Sequence, residues 1–394
     1  CSRALLHGIH SVFPPPNITG HSGEDPVSLK KLLEKEGLWE LRKEILGWMF
    51  DGATRCIELS EKKQLAIMQE LKDITRIKDG VPFKCFEKIT GKLRHAAIGI
   101  PAGKALFGPV NQLLGIKPKM IYWNRCPKVR GALKDWRQLL REVSREPTHV
   151  KELVAGEADY VGTLDASGEG AGGVWLPGKR ALAPVVWRVQ WPEAVKARLV
   201  TDKNPTGDIT NSDLEMLAEF LGFLVLEAVA PLKWAHVGVC SDNSPTVSWQ
   251  ARWASRRSVA ANRILRALAL RMRVNRTSPL VTRHIAGDRN QLGDVPSRSF
   301  GYKKEWHFVN DDAFLTFFNQ TFPLPDQNCW TGFRLDTAVC SRAFRELLTQ
   351  QSSMGEWRRL STIGRKFGEN GRPCVDISRS IHTWRAPTTT PSSA

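Results

Sequence analysis

The chain has 394 residues, of which 57 are lysine or arginine and 40 are aspartate or glutamate, for a formal net charge of +17. With 42% hydrophobic residues, a chain of this length buries a large core and is expected to hold more than one domain. Such a positive excess favours polyanions, because neutralised phosphates release their counterions.

Hydropathy distinguishes between two possible polyanionic partners, a nucleic acid and an anionic membrane surface. The most apolar stretch, Leu214 to Leu232, is interrupted by Glu215, Glu219 and Glu227. We therefore expect no membrane-spanning helix, no membrane partner and a nucleic acid as the binding partner. The oligomeric state is left open by these patterns.

The eight cysteines include no Cys-x-x-Cys pair. Their spacing predicts neither a zinc finger nor a compact disulfide framework, and it favours a reduced intracellular environment, in the nucleus or the cytoplasm. No signal peptide is recognisable. Because the first residue is Cys1 and not methionine, we expect the chain to be cut from a longer reading frame.

Composition divides the chain into five segments. Residues 1–40 are expected to be a loop-rich N-terminal segment, and residues 41–150 carry apolar residues at helical spacing. Residues 151–300 have the pattern of an α/β domain, described below. Residues 301–366 are expected to be helical, and residues 367–394, rich in Gly, Ser, Thr and Pro, to be disordered.

Between residues 41 and 150 we expect three helices, the first with Ser60 as its N-cap. Their apolar positions are Leu65, Met68 and Leu71, then Phe86, Ile89, Leu93 and Ala97, then Leu133, Trp136 and Leu140. The pattern changes after residue 155 to short apolar runs bounded by Gly, Asp and Asn, which are typical of strands. The predicted strands span residues 160–164, 173–176, 185–189, 235–240 and 280–285.

An amphipathic helix over residues 213–230 separates the third and fourth strands, and another helix follows the fourth. This order predicts a mixed five-stranded sheet with helices packed on it. Asp165 and Asp242 each end a strand, Asp294 follows the fifth strand, and Glu215 lies in the first turn of the amphipathic helix. If the first and fourth strands are neighbours, these four acids meet at one edge of the sheet.

Four clustered carboxylates repel one another unless cations lie between them. Hard oxygen ligands with open positions suit Mg²⁺ or Mn²⁺. Two such ions can activate a water molecule and stabilise the leaving oxygen in a phosphodiester displacement. The pattern thus predicts a site for two divalent ions and no small-molecule cofactor.

Each acid also has a purely structural interpretation. Asp165 and Asp242 could be turn residues, and Ser212-Asp213-Leu214-Glu215 fits a capping box. Asp294 could simply begin the last helix, with Pro296 in its first turn. Taken one at a time, the acids favour these interpretations, but four acids on one rim of the predicted sheet favour the metal site.

The segments that carry the acids are YVGTLDASGEGAGGVW (160–175), the Ser-Asp-Leu-Glu helix start, CSDNSPTVSW (240–249) and HIAGDRNQLGDVPSR (284–298). Together they resemble the ribonuclease H domain of retrotransposon reverse transcriptases. The last segment is similar to the family pattern H-x-P-G-x-x-N-x-x-A-D-x-x-S-R, with Ala286 in place of Pro and Gly293 in place of Ala. The resemblance implies a ribonuclease H-like fold in which the four acids bind two metal ions and the RNA strand of an RNA–DNA hybrid is cut. Some cellular ribonucleases H have a mobile histidine before the last aspartate; Asp288 stands near that place, and His284 is predicted to be a strand residue.

The N-terminal half resembles neighbouring parts of the same polyproteins. Residues 43–63 are similar to the end of a reverse transcriptase palm, where a Leu-Gly strand supports the primer terminus, and residues 86–114 to the thumb and connection. The sequence as a whole resembles those of the tyrosine-recombinase-encoding group of retroelements. No Tyr-x-Asp-Asp hairpin occurs upstream of residue 150, and Asp311 and Asp312 are predicted to be N-terminal helix acids. No polymerase activity is therefore expected.

From Asn243 through Gly287 there are nine arginines and no acid. A hybrid must be held along its phosphates beside the cutting site, although an arginine run is often only a solvated face. Trp249 and Trp253 could support sugar contacts, with core packing expected for at least one of them. The predicted nucleic-acid contacts are Asn243, Arg252, Arg256, Arg257, Arg263 and Arg266.

Three alternatives stay open at this stage. A catalytically inactive, nucleic-acid-binding relic of a reverse transcriptase/ribonuclease H region would keep the fold without turnover. An integrase or transposase on the same fold would need a glutamate on a helix after the fourth strand, and none occurs between Asp242 and Asp294. A plain scaffold would be indifferent to metal ions.

Overall fold

The structure is a computed structural model that describes residues 40–301, 308–325, 328–348, 357, 360 and 363–367. The expected loop-rich segment 1–40 and the expected tail 367–394 lie outside the described residues, except for Glu40 and Phe367. None of the helices within the described ranges is long and apolar enough to cross a lipid bilayer.

The N-terminal part combines a small sheet with a group of helices. Its elements are β1 (Arg42–Ile45), β2 (Trp48–Asp51), β3 (Cys56–Leu59), α1 (Glu61–Arg76), β4 (Val81–Pro82), α2 (Phe83–Ala96), α3 (Gly108–Ile116), β5 (Met120–Ile121), α4 (Pro127–Arg145) and β6 (Thr148–His149). A 3₁₀ helix, Pro101–Phe107, links α2 to α3. The first sheet is antiparallel with the order β1-β2-β3-β6, and β4 pairs with β5.

The three helices predicted in this part are present as α1, α2 and α4. Ser60 occupies the N-cap position of α1, although its side chain makes no capping hydrogen bond. The Leu-Gly pair differs from the prediction, because Leu46 and Gly47 form the turn between β1 and β2 and not a strand. Their φ angles are 53° and 81°, and only glycine adopts this region without steric cost.

The larger sheet and its helices begin at residue 160. The elements are β7 (Tyr160–Ala166), β8 (Gly170–Pro177), β9 (Val185–Gln190), α5 (Glu193–Lys196), α6 (Asn211–Val229), β10 (Val237–Ser241), α7 (Ser244–Arg252), α8 (Val259–Asn275), β11 (Val281–His284), α9 (Gln291–Arg298), α10 (Asp311–Thr321), β12 (Thr331–Leu335), α11 (Thr337–Leu348) and β13 (Gly364–Phe367). The sheet has seven strands in the order β11-β10-β7-β8-β9-β12-β13. The predicted α/β class is confirmed.

All five predicted strands lie in this sheet, and the first and fourth, β7 and β10, are parallel neighbours. β7, β8 and β9 form an antiparallel series, whereas β11 runs parallel to β10. The expectation of a helical C-terminal region was incomplete, because β12 and β13 extend the sheet beyond β9. Both strands are short and half polar, so their period-2 pattern is too weak to predict them.

Helix α6 forms the centre of the core. All residues from Asp213 through Leu226 are buried, which is the pattern of a helix covered on all sides. It packs on β7 and β8 through Gly222, whose carbonyl accepts a hydrogen bond from Trp175 Nε1 at 2.8 Å. On its other side lies α8, which also packs against the 3₁₀ helix Pro101–Phe107 and against α11.

Candidate functional site

Three of the predicted acids meet where two parallel strands end. Asp165 lies near the end of β7 and Asp242 directly follows β10, while Glu215 comes from the second turn of α6. One carboxylate oxygen of each residue lies within 4.8 Å of those of the other two. Parallel neighbours present their carboxyl ends at the same edge of a sheet, which explains how residues 77 positions apart come together.

The N-terminus of α6 is capped without Glu215, so the Glu215 side chain can belong to this cluster. The capping box predicted as an alternative is formed by other residues: Asp213 Oδ2 accepts from Thr210 N at 2.9 Å, and Thr210 Oγ1 accepts from Asp213 N at 3.3 Å. Since Asp213 closes the box, Glu215 is not needed as a capping residue. Glu215 is 4% exposed, and one of its carboxylate oxygens lies within 4.8 Å of oxygens of Asp165 and Asp242.

Burial and mutual repulsion disfavour the ionised forms of these groups. Burial, followed by the charges of Asp242 and Asp294, raises the pKa of Asp165 to about 7. Burial, followed by the charges of Asp165 and Asp242, holds the pKa of Glu215 well above its ordinary value. A cluster of hard oxygen donors that resists ionisation by itself could hold a metal ion, which would stabilise the charged forms.

Glu219 lies one helical turn beyond Glu215 and is buried beneath the cluster, with 1% of its surface exposed. Burial raises its pKa to about 8, a shift that the Thr282 hydroxyl partly opposes. The charge of Glu219 also contributes to the raised pKa of Glu215. The sequence had marked Glu219 only as an interruption of an apolar run.

Asp294 lies beside the cluster but outside the group of three. It belongs to α9, which packs against β7 and β8, and its Oδ1 is 2.5 Å from Arg298 Nε. Its charge nevertheless contributes to the raised pKa of Asp165. Helix α9 begins at Gln291, so Pro296 lies inside it and not in the first turn as predicted. The structure thus brings three of the four acids together and places the fourth next to them.

Three further side chains lie next to the acids. One is His284, and the other two, Asn290 and Ser297, were not predicted to belong to the site. His284 ends β11, as predicted, and its Nε2 lies 3.1 Å from the backbone oxygen of Asp242. Asn290 and Ser297 are fully buried and both contact the carboxylate of Asp165. Both belong to the segment 284–298, so their positions in that motif were the available signal.

No protein-family model matches the chain, and no curated protein matches it. Among solved structures the chain is similar to three of foamy viral protease-reverse transcriptase. With the dRH form in complex with double-stranded DNA it shares 11% identity, over 63% of this chain and 38% of that one, at a TM-score of 0.26. With the protein in complex with double-stranded DNA it shares 14% identity, over 64% of this chain and 46% of that one, at a TM-score of 0.26. With the protein in complex with an RNA/DNA hybrid it shares 11% identity, over 71% of this chain and 37% of that one, at a TM-score of 0.27. The chain spans less than half the length of these proteins, and at such TM-scores the likeness does not establish a shared fold or activity.

The residues predicted to contact nucleic acid divide into two groups. Arg252, Arg256 and Arg257 are exposed at the end of α7 and in the loop that follows it. Helix α7 starts two residues after Asp242, and at 1.5 Å per residue Arg252 lies roughly 12 Å along it. Asn243 has a structural role as the N-cap of α7, since its Oδ1 accepts from Thr246 N at 3.0 Å.

Arg263 and Arg266 face the interior, contrary to their predicted role. Arg263 donates to the backbone oxygens of Glu346 at 2.7 Å and Leu347 at 3.3 Å, near the end of α11. Arg266 forms a largely buried ion pair with Asp135 of α4. The sequence could not reveal this, because the partners lie about 80 and 130 positions away and α8 is covered on several sides. Trp253 is also a core residue, 6% exposed.

Three further arginines at the end of α8 join distant parts of the chain. Arg271 pairs with Glu227 of α6 and donates to the backbone oxygen of Trp357 at 2.5 Å. Arg273 Nη1 lies 2.6 Å from Glu152 Oε2, and Arg276 Nη2 lies 2.8 Å from Glu152 Oε1. Glu152 is 4% exposed at its side chain and lies between α4 and β7, so this buried triad fastens the N-terminal part to the larger sheet.

Proposed function

We propose that the chain is a ribonuclease H that hydrolyses the RNA strand of RNA–DNA hybrids by two-metal-ion phosphodiester cleavage, as one part of a retroelement polyprotein without a polymerase active site. The observation that carries the proposal is the cluster of Asp165, Glu215 and Asp242 within 4.8 Å. Three distant stretches supply these acids, and among the described residues neither capping nor an ion pair accounts for Glu215. The arrangement of β7 to β11 with α6 packed on them is consistent with the fold that the resemblance implies.

In this proposal Asp165, Glu215 and Asp242 hold the divalent ions, with Asp294 beside them. Bound ions of this kind supply an activated water molecule and stabilise the leaving oxygen. The chain itself provides a rigid rim of carboxylates and, beyond α7, three exposed arginines for backbone phosphates. Hybrid would be distinguished from DNA duplex by the 2′-hydroxyl and the helix shape, and not by base sequence.

The test is cleavage of an end-labelled RNA–DNA hybrid by the full chain. We expect RNA cleavage with Mg²⁺ or Mn²⁺, none in EDTA, and none with a DNA duplex of the same sequence. The full chain is required because α10, β12 and α11 belong to the same fold as the site. Hybrid cleavage that persists in EDTA would refute the metal mechanism.

The second candidate is a nucleic-acid-binding relic without turnover. The ion pair between Asp294 and Arg298 favours it, since it engages one of the four acids. Hybrid binding without cleavage in any divalent metal would select this alternative. A chain that neither binds nor cleaves would be a scaffold.

The exposed arginines give a prediction that does not depend on turnover. Replacing Arg256 and Arg257 with glutamine is expected to weaken hybrid binding and to reduce the slope of log K against log salt by about 1.8, since each phosphate that is no longer neutralised lowers the slope by about 0.9. The measurement is fluorescence anisotropy in EDTA at several salt concentrations. As a matched control, Lys179 and Lys233 are exposed near the opposite end of the sheet, and their double substitution with glutamine should leave the slope nearly unchanged. An equal weakening in both variants would assign the effect to net charge alone.

A further inference from the structure

We infer that Asn290 and Ser297 are positioning residues that hold the carboxylate of Asp165 in the orientation needed to bind a metal ion. The inference rests on the proposed function for the reaction, but its geometry belongs to α9 and the turn before it. Both side chains are completely buried, and neither is one of the acids expected to bind metal. Each contacts a different oxygen of Asp165.

Ser297 engages the first oxygen. Its Oγ lies 2.5 Å from Asp165 Oδ2 and 2.9 Å from the backbone oxygen of Asp294. A hydroxyl group has one proton to donate, and a carboxylate is a stronger acceptor than a backbone carbonyl. The Ser297 hydroxyl group therefore donates its hydrogen bond to Asp165 Oδ2.

Asn290 engages the second oxygen with its amide group. Its Nδ2 lies 3.3 Å from Asp165 Oδ1 and 3.4 Å from the backbone oxygen of Leu164. The two N–H bonds of the amide thus reach both the side chain of Asp165 and the backbone just before it. This pairing constrains the rotation of the carboxylate relative to β7.

The fold brings α9 close enough for both contacts. A Cβ atom on Gly293 would lie 2.9 Å from Asn290 Oδ1 and 3.0 Å from Asp165 Cβ, and one on Gly172 would lie 2.4 Å from Pro296 Cβ. Such close approaches between α9 and the strands β7 and β8 need glycine. On the far side, Ser167 Oγ donates to the backbone oxygen of Ser297 at 2.8 Å, so the strand end and the helix are joined twice.

This arrangement leaves Asp165 able to bind metal. Each carboxylate oxygen has two lone pairs; Ser297 occupies one on Oδ2 and Asn290 one on Oδ1. The remaining lone pairs are free to face Glu215 and Asp242, whose oxygens lie within 4.8 Å. Partners of this kind around a metal ligand typically change metal affinity about 10-fold to 100-fold when removed.

The experiment measures binding of Mn²⁺ alone to the full chain by titration calorimetry. Ser297→Ala and Asn290→Ala are each expected to weaken Mn²⁺ binding by about 10-fold or more. Ser299→Ala is the matched control, because Ser299 is also buried at the end of α9 but donates to the backbone oxygen of Pro296 and not to an acid. Thermal unfolding in EDTA shows whether each variant is folded.

Unchanged Mn²⁺ affinity in a folded Ser297→Ala variant would overturn the inference while leaving the proposed function intact. An equal weakening in Ser299→Ala would also overturn it, since the effect would then be a general loosening of α9. If the unmodified chain binds no Mn²⁺, the proposed function fails and the inference fails with it. The three results are distinguishable from one set of titrations.

Discussion

Replacing Asp165 with asparagine is expected to abolish hybrid cleavage and, without metal, to make the protein more stable at pH 8. The first effect follows because Asp165 contributes an oxygen to the carboxylate cluster and lies at its buried end. The second follows because the ionised carboxylate is unfavourable there, and asparagine removes the charge while keeping the shape. Loss of activity together with a gain in stability distinguishes a site residue from a core residue, whose removal would lower both.

The raised pKa of Asp165 determines how the stability of the metal-free protein changes with pH. The pKa of Asp165 is about 7 in the folded chain, above the ordinary 3.8, so the folded state binds the proton more tightly than the unfolded state does. The stability from this protonation is complete below about pH 4 and is lost as the pH rises through 7, at about 1.4 kcal/mol per pH unit. Metal-free protein should therefore lose stability between pH 5 and pH 8, and the asparagine variant should lose less.

The measurement is thermal unfolding in EDTA at pH 5 and pH 8, repeated at pH 8 with excess Mg²⁺. Magnesium should stabilise the unmodified protein and should stabilise the variant less, because ligand binding to the folded state adds to its stability. Asp288→Asn is the matched control: Asp288 is exposed in the turn before α9, and its removal changes the net charge equally. A variant at Asp165 that still cleaves hybrid, or that is less stable than the parent at pH 8 in EDTA, would contradict the assignment.

Replacing Glu152 with alanine is expected to destabilise the whole chain by about 3–5 kcal/mol, the usual cost of removing one partner from a buried ion pair. The reason is that Arg273, which is buried, and Arg276, which is partly buried, would both keep their positive charges without this carboxylate. Their contacts with the backbone oxygens of Glu146 and Pro147 would remain. The free energy of unfolding in urea measures the effect.

Two variants isolate the contribution of the triad. Glu146→Ala removes an exposed glutamate from the same connecting segment and should change stability by no more than about 0.5 kcal/mol. Adding Arg273→Met to Glu152→Ala should recover part of the stability, because one unpaired buried charge is then removed. If Glu152→Ala costs no more than the Glu146 variant, the triad does not fasten the two parts.

The order of strands and the acids at their ends could be predicted from the sequence because these signals are local. Apolar runs bounded by Gly and Asp mark β7 and β10, and an acid lies near the end of each. The capping residues of α6 were harder to assign, because the pairs Thr210-Asp213 and Ser212-Glu215 have the same spacing in the sequence. Only the residue at which the helix begins shows which pair forms the capping box. The inward arginines of α8 could not be predicted, since partners such as Asp135 and Glu227 are set by tertiary packing.

Strands β12 and β13 were missed for a related reason. A strand gains its stability from neighbours that are remote in sequence, here β9 and β13 on the two sides of β12, and a short run such as Thr331–Leu335 shows little of this by itself. The contact between Asn290 and Asp165 was equally hidden, because the two residues are 125 positions apart. Only the family motif marked the segment as unusual.

The arginine-rich helix α8 links the described parts of the chain through opposite charges and carbonyl groups on several neighbours. Its contacts with the 3₁₀ helix Pro101–Phe107, with α6 and with α11 join the N-terminal part to the larger sheet. Melting should consequently occur in one transition that is shared by the N-terminal helices and the larger sheet. A protease that cuts within 101–107 would then be expected to disrupt the carboxylate site from a distance, by releasing the helix on which that site depends.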